Sequence, residues 1–584
     1  MTGSTLYRLN NLSFTLQDGA LRHLRLGDQE IIRQISFLVR DRDWGTIAAQ
    51  VGPVQREDTQ STLTVTLTLR FMHEGAVLTV PVRLHLCDGH LQMQARPMAS
   101  AAFLTNRAGF TVLHPIAGVA GAPARVTHGN GTQTNAEFPW LIDPWRPFTD
   151  IADLTYQADG LALHCAFRGD TFEMEDQRQW GDASFKTYNR SLDLPWPYEL
   201  PAGDIAAQTV DIRWHRTSGT PAYAHATPTP RPTSPSQAQP TPHRGAGFAQ
   251  TALLITAQDA QRLCHDPSVL ARAGPQRLLC HVDAGAADTS GVTVAQQMRD
   301  FATLQACAPG YAYDLELICA FTGPLSPLPD LRAYAHTMQE AGFTPASVFP
   351  CPAVDRISTP PGSDWPACPP LAQVYRAARQ VFASNPIGGG MSTFFPELNR
   401  KRPPLDDLDF VTHGLCPIVH AADDLSVMET LETLPHITRS AQAIASDRAY
   451  RIGPCSLAMR HNPYGTRTLP NPDRRRICLT DDDPRHHSDF GAAYALGLAT
   501  QLAAHGVAVW TPAEVFGPRG IVADTSPLVQ VLHALAAHAG QPVTHASLRG
   551  GIAHLTLADA RFRANLTPNP QAGLRPYGCD IPGI

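Results

Sequence analysis

Across the first 216 residues, apolar and polar positions alternate with a period of two. The run 61–69 reads Ser-Thr-Leu-Thr-Val-Thr-Leu-Thr-Leu and 76–84 reads Ala-Val-Leu-Thr-Val-Pro-Val-Arg-Leu; the pattern returns at 161–167 and 209–214. Successive side chains of a strand point to opposite faces, so this alternation predicts strands with one buried and one solvated face. Asp18-Gly19 and Asp88-Gly89 fall where hairpin turns belong. The expected fold of residues 1–216 is a large antiparallel β-sandwich.

The periodicity stops at 217–247. The string Thr227-Pro228-Thr229-Pro230-Arg231-Pro232-Thr233-Ser234-Pro235 has almost nothing to bury and reads as a semi-extended tether. Beyond it, short apolar runs alternate with helical periods. Strands are expected at 277–282, 315–321, 347–350, 390–395, 409–413, 457–460 and 507–511, and the clearest helices at 328–341, 371–382, 426–445 and 491–504. Seven or eight such repeats over 248–541 predict a central (β/α)8 TIM-like barrel. A doubly wound open sheet fits less well, because no GxGxxG follows any of these strands. Period-two alternation resumes at 552–557 and 560–566, which predicts a small C-terminal β module over 542–584.

Length and charge narrow the class. A chain of 584 residues exceeds one core and calls for two or three domains. Net charge is −6, from 46 basic and 52 acidic residues without long runs, so neither a nucleic-acid footprint nor a polybasic membrane patch is present. The start, Met1-Thr2-Gly3-Ser4-Thr5, lacks the basic and apolar regions of a secretory signal, and no apolar run is long enough to span a bilayer. The 12 cysteines form no CxxC pair, and Cys280, Cys319 and Cys416 lie inside apolar runs. Thiols in a reducing compartment are expected, and with them a cytoplasmic location.

In a barrel, functional groups gather where strands end. Asp283 closes one strand, Glu316 lies within the next, and Glu397 follows Ser392-Thr393-Phe394-Phe395-Pro396 after the glycine run 388–390. His413 ends a strand; Arg460, His461 and Asn462 end the run 456–460; Glu514 follows Trp510-Thr511-Pro512-Ala513. By this count Glu397 and Glu514 stand on the fourth and seventh strands. A partly buried carboxylate is a ready general acid or base, and Glu397 is the strongest candidate; its bland alternative is an N-cap or a salt bridge to Arg400 or Arg402. Asp283 and Glu316 have the alternative of capping the next helix. His413 and His420 with Asp423 could be read as metal ligands but match no strong zinc spacing, so loop or active-site histidines are expected instead. His486-His487 reads as a solvated turn. No GxSxG elbow is present, and Ser184 begins no SxxK, so water activated by a carboxylate or histidine is the simpler scheme. No cofactor and no metal are implied.

One stretch is unusually dense in chemistry: Gly169-Asp170-Thr171-Phe172-Glu173-Met174-Glu175-Asp176-Gln177-Arg178-Gln179-Trp180-Gly181-Asp182-Ala183-Ser184-Phe185-Lys186-Thr187-Tyr188. Carboxylates, cations and polar aromatics of this kind suit a polyhydroxylated ligand, or else an ion-pair cluster between domains. Residues 174–188 resemble the MEDQRxWxDASFKTY signature of the D-apionate lactonase family, as do 110–115 and 192–198 at their places; Gly181 and Asn189 depart from the usual string. The order of an N-terminal β domain, a barrel and a short C-terminal module agrees over nearly the whole chain.

The resemblance implies a carbohydrate-metabolism hydrolase of apiose catabolism that opens D-apionolactone to D-apionate, with a small sugar lactone as partner and neither nucleic acid nor membrane. It leaves the catalytic residues and the oligomeric state open. Ester hydrolysis needs a base for water and donors for the oxyanion. Glu397 is the expected base, with Glu316 or His413 as alternatives. Asp283, Arg178, Lys186, Arg460, His461 and Glu514 are the expected substrate-binding groups. A glycoside hydrolase pairing Glu397 with Glu514 is the main rival, and a non-catalytic sugar-binding protein the second.

Overall fold

The computed structural model describes residues 4–42, 44–217, 247–285, 291–359, 363–465, 467–522 and 526–583. The tether expected at 217–247 lies, but for its two ends, outside these residues. The chain divides into two compact units: Met1–Gln177 with Ala183–Gln237, and Arg178–Asp182 with Ala238–Ile584. Five residues of the dense string, 178–182, therefore belong with the barrel.

The first unit is antiparallel throughout. Its longest hairpin pairs Thr62–His73 with Ala76–Cys87, and alternate residues of both strands are buried, as the period of two requires. The turn between them, Glu74-Gly75, has positive φ at both residues (48° and 83°), the conformation whose twist matches that of the paired strands. One continuous core, from Phe14 and Ile35 to Phe172, Phe185 and Trp214, fills the space between the sheet faces.

The second unit is a ring of eight parallel strands: β1 (Gln250–Ile255), β2 (Arg277–Asp283), β3 (Ala312–Cys319), β4 (Ser347–Pro352), β5 (Gly388–Phe394), β6 (Phe410–Gly414), β7 (Ala449–Ile452) and β8 (Val509–Glu514). β1 pairs with β8, and a bridge between Val348 and Ile387 closes the ring between β4 and β5. Around it run α1 (Ala257–His265), α2 (Val294–Cys307), α3 (Leu328–Ala341), α4 (Leu371–Val381), α5 (Phe395–Lys401), α6 (Asp424–Glu429), α7 (Leu434–Ala445), α8 (Asp489–Ala503) and α9 (Pro527–Ala536). The glycine run makes β5 possible. A Cβ at Gly389 would lie 2.3 Å from the Leu408 side chain, and one at Gly390, where φ is 116°, only 2.1 Å from the Thr412 carbonyl oxygen.

The barrel floor holds Asp314, which accepts from Arg277 Nε and Nη2 at 2.6 Å each and from Ser347 Oγ at 2.5 Å. The interior cavity lined by Asp314, Glu316 and Arg451 measures about 30 Å³, the room of one water. The C-terminal strands Val543–Arg549, Ile552–Leu557, Ala560–Asn565 and Cys579–Asp580 form an antiparallel sheet. Gly497 of α8 lets that helix approach Leu431 and Leu566 closely.

Three expectations are corrected. The seventh strand is Ala449–Ile452, and 457–460 is irregular. That run is as buried as a strand, but Pro454 before it has no N–H to give a ladder. β1 was also missing from the count, so Glu397 follows the fifth strand and Glu514 ends the eighth. The helix expected over 426–445 is two helices separated by a 3-10 turn, with Pro435 in the first turn of the second. Among the described residues no helix is long and apolar enough to cross a membrane.

Candidate active site

Several expected site residues meet at the mouth of the barrel, in arrangements that separate their roles. Glu316 accepts from His281 Nδ1 at 2.8 Å, from Arg460 Nη1 at 3.2 Å and from Arg460 Nη2. Burial alone would raise the Glu316 pKa, but the Arg460 charge and the His281 hydrogen bond outweigh it and hold the carboxyl well below the usual carboxylate range. Glu316 is thus one half of a buried ion pair with Arg460. Asp283 is paired with Arg356 and accepts from the Gly285 N–H at 2.8 Å. Glu514 is clamped by Arg519, Nε to Oε1 at 3.0 Å and Nη2 to Oε2 at 3.1 Å, while Arg519 also donates to the Met459 and Asp481 carbonyls.

The histidines divide as well. His413 is wholly buried, with Nδ1 against the Gly414 carbonyl at 2.7 Å and Nε2 against the Tyr450 hydroxyl at 2.8 Å. Burial lowers its pKa to about 4. His461 has its Nε2 buried without a partner among the described residues, and burial with the nearby Arg460 charge drives its pKa well below the ordinary value. His486, expected in a solvated turn, is 2% exposed and reaches the Gly520 carbonyl.

Glu397 differs from the other carboxylates. It sits in the first turn of α5, behind Pro396, where β5 has just ended. Its Oε1 accepts from Ser358 Oγ at 2.5 Å, Arg400 Nη1 at 2.9 Å and the Thr359 N–H at 3.3 Å. Its Oε2 is buried with no partner among the described residues. Burial outweighs the Arg400 charge and the hydrogen bonds, so the Glu397 pKa is raised. The two oxygens of this carboxyl are unequally held. The salt bridge to Arg400 foreseen as the bland reading is thus present and serves as the anchor.

A closed circuit of contacts surrounds this carboxylate. The Arg400 guanidinium lies 6.0 Å from the centre of the Trp180 ring. Trp180 in turn meets Tyr464 (5.4 Å between centroids) and His420 (5.8 Å, edge to face). His420 Nδ1 is 2.7 Å from Asp182 Oδ2, and its Nε2 is 3.4 Å from the Tyr464 hydroxyl. The circuit returns through Pro463, whose carbonyl accepts from the Ser358 N–H at 2.8 Å. Trp180, Asp182, His420, Tyr464 and Ser358 were not singled out from sequence as site residues. Trp180 and Asp182 were visible inside the dense string, whereas His420 was weighed as a metal ligand against a loop or active-site histidine and Tyr464 carried no signal. Asp423 caps α6 through the Ser426 N–H.

The remaining candidates have partners of their own. Arg178, fully buried, has its Nη1 2.9 Å from His436 Nδ1. Lys186, in the first unit, is paired with Glu175 at 2.5 Å and lies over the Tyr188 ring. Glu173 is buried beneath Arg146, Tyr188, Ser191 and the Leu192 N–H. The string therefore divides: its ends stitch the β unit, and its middle serves the barrel.

Comparison with known proteins bears on both units. Residues 2–217 match the family described as D-apionate lactonase, N-terminal domain, and residues 251–540 match D-apionate lactonase, TIM barrel domain. A protein of Brucella anthropi named D-apionate lactonase is 41% identical over 517 residues, covering 88% of this chain and 82% of its own length. Among solved structures, the Slr1438 protein of Synechocystis sp. PCC 6803 is 10% identical and covers 37% of this chain and 96% of its own, at a TM-score of 0.27. A GH30 endoxylanase of Clostridium papyrosolvens C71 is also 10% identical, covering 55% and 83%, at a TM-score of 0.32. Structural likenesses this slight carry no argument about chemistry.

Proposed function

The chain belongs to the D-apionate lactonase family, and on that premise we propose that it opens D-apionolactone to D-apionate, with Glu397 as the general base. The family match supports lactone hydrolysis in apiose metabolism as the reaction class. The observation that carries the residue assignment is the asymmetry of Glu397, whose Oε1 is held by three donors while Oε2 has no partner among the described residues.

In this reading, Oε2 takes a proton from a water molecule as the water oxygen attacks the lactone carbonyl carbon. Ser358, Arg400 and the Thr359 N–H fix the other oxygen and keep the carboxylate from turning away. A base held near its working geometry contributes a rate factor of roughly 10²–10⁴. The glycosidase alternative loses its second carboxylate, because Glu514 has both oxygens engaged by Arg519.

The test is proton release on adding D-apionolactone to the purified protein, beside a panel of other aldonolactones and aryl glycosides. Rapid acidification with the branched lactone, lost in Glu397→Gln, is the expected result. Turnover unchanged in that variant removes Glu397 as the base. Release of an aryl leaving group without acidification by the lactone overturns the reaction itself.

A further inference from the structure

Side chains of β2 alternate between two faces along Arg277-Leu278-Leu279-Cys280-His281-Val282-Asp283. Arg277 reaches Asp314 on the inner face, and Leu279 lines the small cavity of the barrel interior. His281 therefore points inward as well, one layer nearer the C-terminal end of the strand. Its aligned neighbour in β3 is Glu316. The cavity below them, about 30 Å³, holds a water and is too small for a sugar. A sugar would meet this layer from the C-terminal side, where the functional groups of such barrels gather.

One nitrogen of the His281 ring is fully used. Nδ1 stands 2.8 Å from Glu316 Oε1 and 2.8 Å from Arg460 Nη2, and Arg460 closes the triangle by donating to both Glu316 oxygens. The other nitrogen, Nε2, has no partner among the described residues. Exposure divides the three in the same way. The Glu316 and Arg460 side chains are 2% and 9% exposed and that of His281 is 16% exposed, so the ion pair is the fixed support and the imidazole is the part that reaches outward. Resting on the lactone-opening reading above, we propose that His281 Nε2 binds a hydroxyl of the sugar lactone and makes the protein select for lactones that carry it.

The chemistry of that nitrogen limits the ligand. Nε2 accepts in one neutral tautomer of the ring and donates in the other, and a hydroxyl answers either because it both donates and accepts. A carboxylate would answer only the donor, and an ammonium only the acceptor. His461 gives an independent sign of the same need. Its Nε2 is buried without a partner among the described residues, near enough to Arg460 and His281 for both charges to act on it. A buried polar atom left unpaired is costly, and a ligand rich in hydroxyls relieves it. The layer is also joined to the carboxylate that activates water in this reading. Asp283, the next inward position of β2, pairs with Arg356, and Ser358 and Thr359 just beyond Arg356 hold Glu397 Oε1.

The experiment measures kcat/KM by proton release for D-apionolactone and for analogues in which one hydroxyl is replaced by hydrogen. The unsubstituted protein is expected to disfavour one of these deoxy lactones by about tenfold or more, because the missing group leaves the nitrogen unpaired. Two variants of the full chain then separate the two nitrogens. His281→Asn keeps an amide where Nδ1 meets Glu316 and has nothing at the place of Nε2. His281→Gln carries its amide out toward the place of Nε2 instead. The Asn variant is expected to prefer the hydroxylated lactone by no more than about threefold while still opening the deoxy lactone, which also shows that it is folded. The Gln variant is expected to keep part of the preference. A role for His281 in packing alone predicts the opposite order, since Asn preserves the contact with Glu316 and Gln does not.

An unsubstituted protein indifferent to every deoxy lactone overturns the proposal. So does an Asn variant that keeps the full preference, with or without a loss of rate. An unsubstituted protein that opens none of the lactones overturns the lactone-opening reading itself, and this proposal with it.

Discussion

Three donors converge on one oxygen of Glu397 and none of the described groups reaches the other, and this asymmetry can be disturbed one donor at a time. Ser358→Ala removes the shortest of the three bonds. A hydrogen bond to the charged form lowers a carboxyl pKa, so its loss raises it. Because the base works ionised, the acid limb of the kcat/KM profile is expected to move to higher pH, with the plateau above it little changed. An unmoved limb would mean that a group other than Glu397 sets it.

A second residue-scale case lies in the first unit. Glu30 is held between His23 Nδ1 at 2.6 Å and Arg33 Nη2 at 2.9 Å. Burial opposes ionisation, yet these partners lower its pKa from 4.5 to about 2. The folded value lies below the unfolded one, so this stabilisation is fully present above the unfolded value and is lost as pH falls through about 2. At neutral pH it amounts to roughly 3 kcal/mol. Denaturant unfolding of Glu30→Gln is expected to show that deficit near pH 7 and little deficit at the acid end. A deficit independent of pH would place the effect in packing instead.

At the scale of elements, periodicity revealed what one strand or helix carries within itself. The alternating hairpin 62–87 was legible because its burial has a period of two. β7 was not, because four residues containing Arg451 make a weaker pattern than the apolar, irregular run that follows Pro454. The glycine run at 388–390 marked the neighbourhood of Glu397, and the structure supplies the reason: only glycine lets β5 lie this close to Leu408 and Thr412. Gly390→Ala brings a Cβ to 2.1 Å from a backbone oxygen at a φ of 116°. A cost of roughly 3 kcal/mol or more is expected, from strained backbone together with overpacking. Because the strand positions α5, a lower denaturation midpoint should come with loss of lactone turnover. Wild-type stability in this variant would mean that β5 can shift without consequence.

For the molecule as a whole, partnerships between residues distant in sequence were hidden. Glu316 and Arg460 are 144 positions apart, and Asp182 and His420 are 238 apart. Each residue alone looked like a cap, a strand end or a stray ligand, and the charge of one became interpretable only beside the other. The dense string 169–188 was visible as chemistry, but not its division between two compact units. That division carries a consequence for stability. The Trp180 ring is 6% exposed and packed among His420, Tyr464 and the Arg400 guanidinium. Trp180→Ala therefore opens a cavity beside the cation that holds Glu397, and a loss of roughly 3–5 kcal/mol is expected. Denaturant unfolding of the variant measures it, and lactone turnover should fall with it because the Arg400 anchor loses its support. An unchanged unfolding midpoint would mean that the five-residue segment is not part of the packing of its unit.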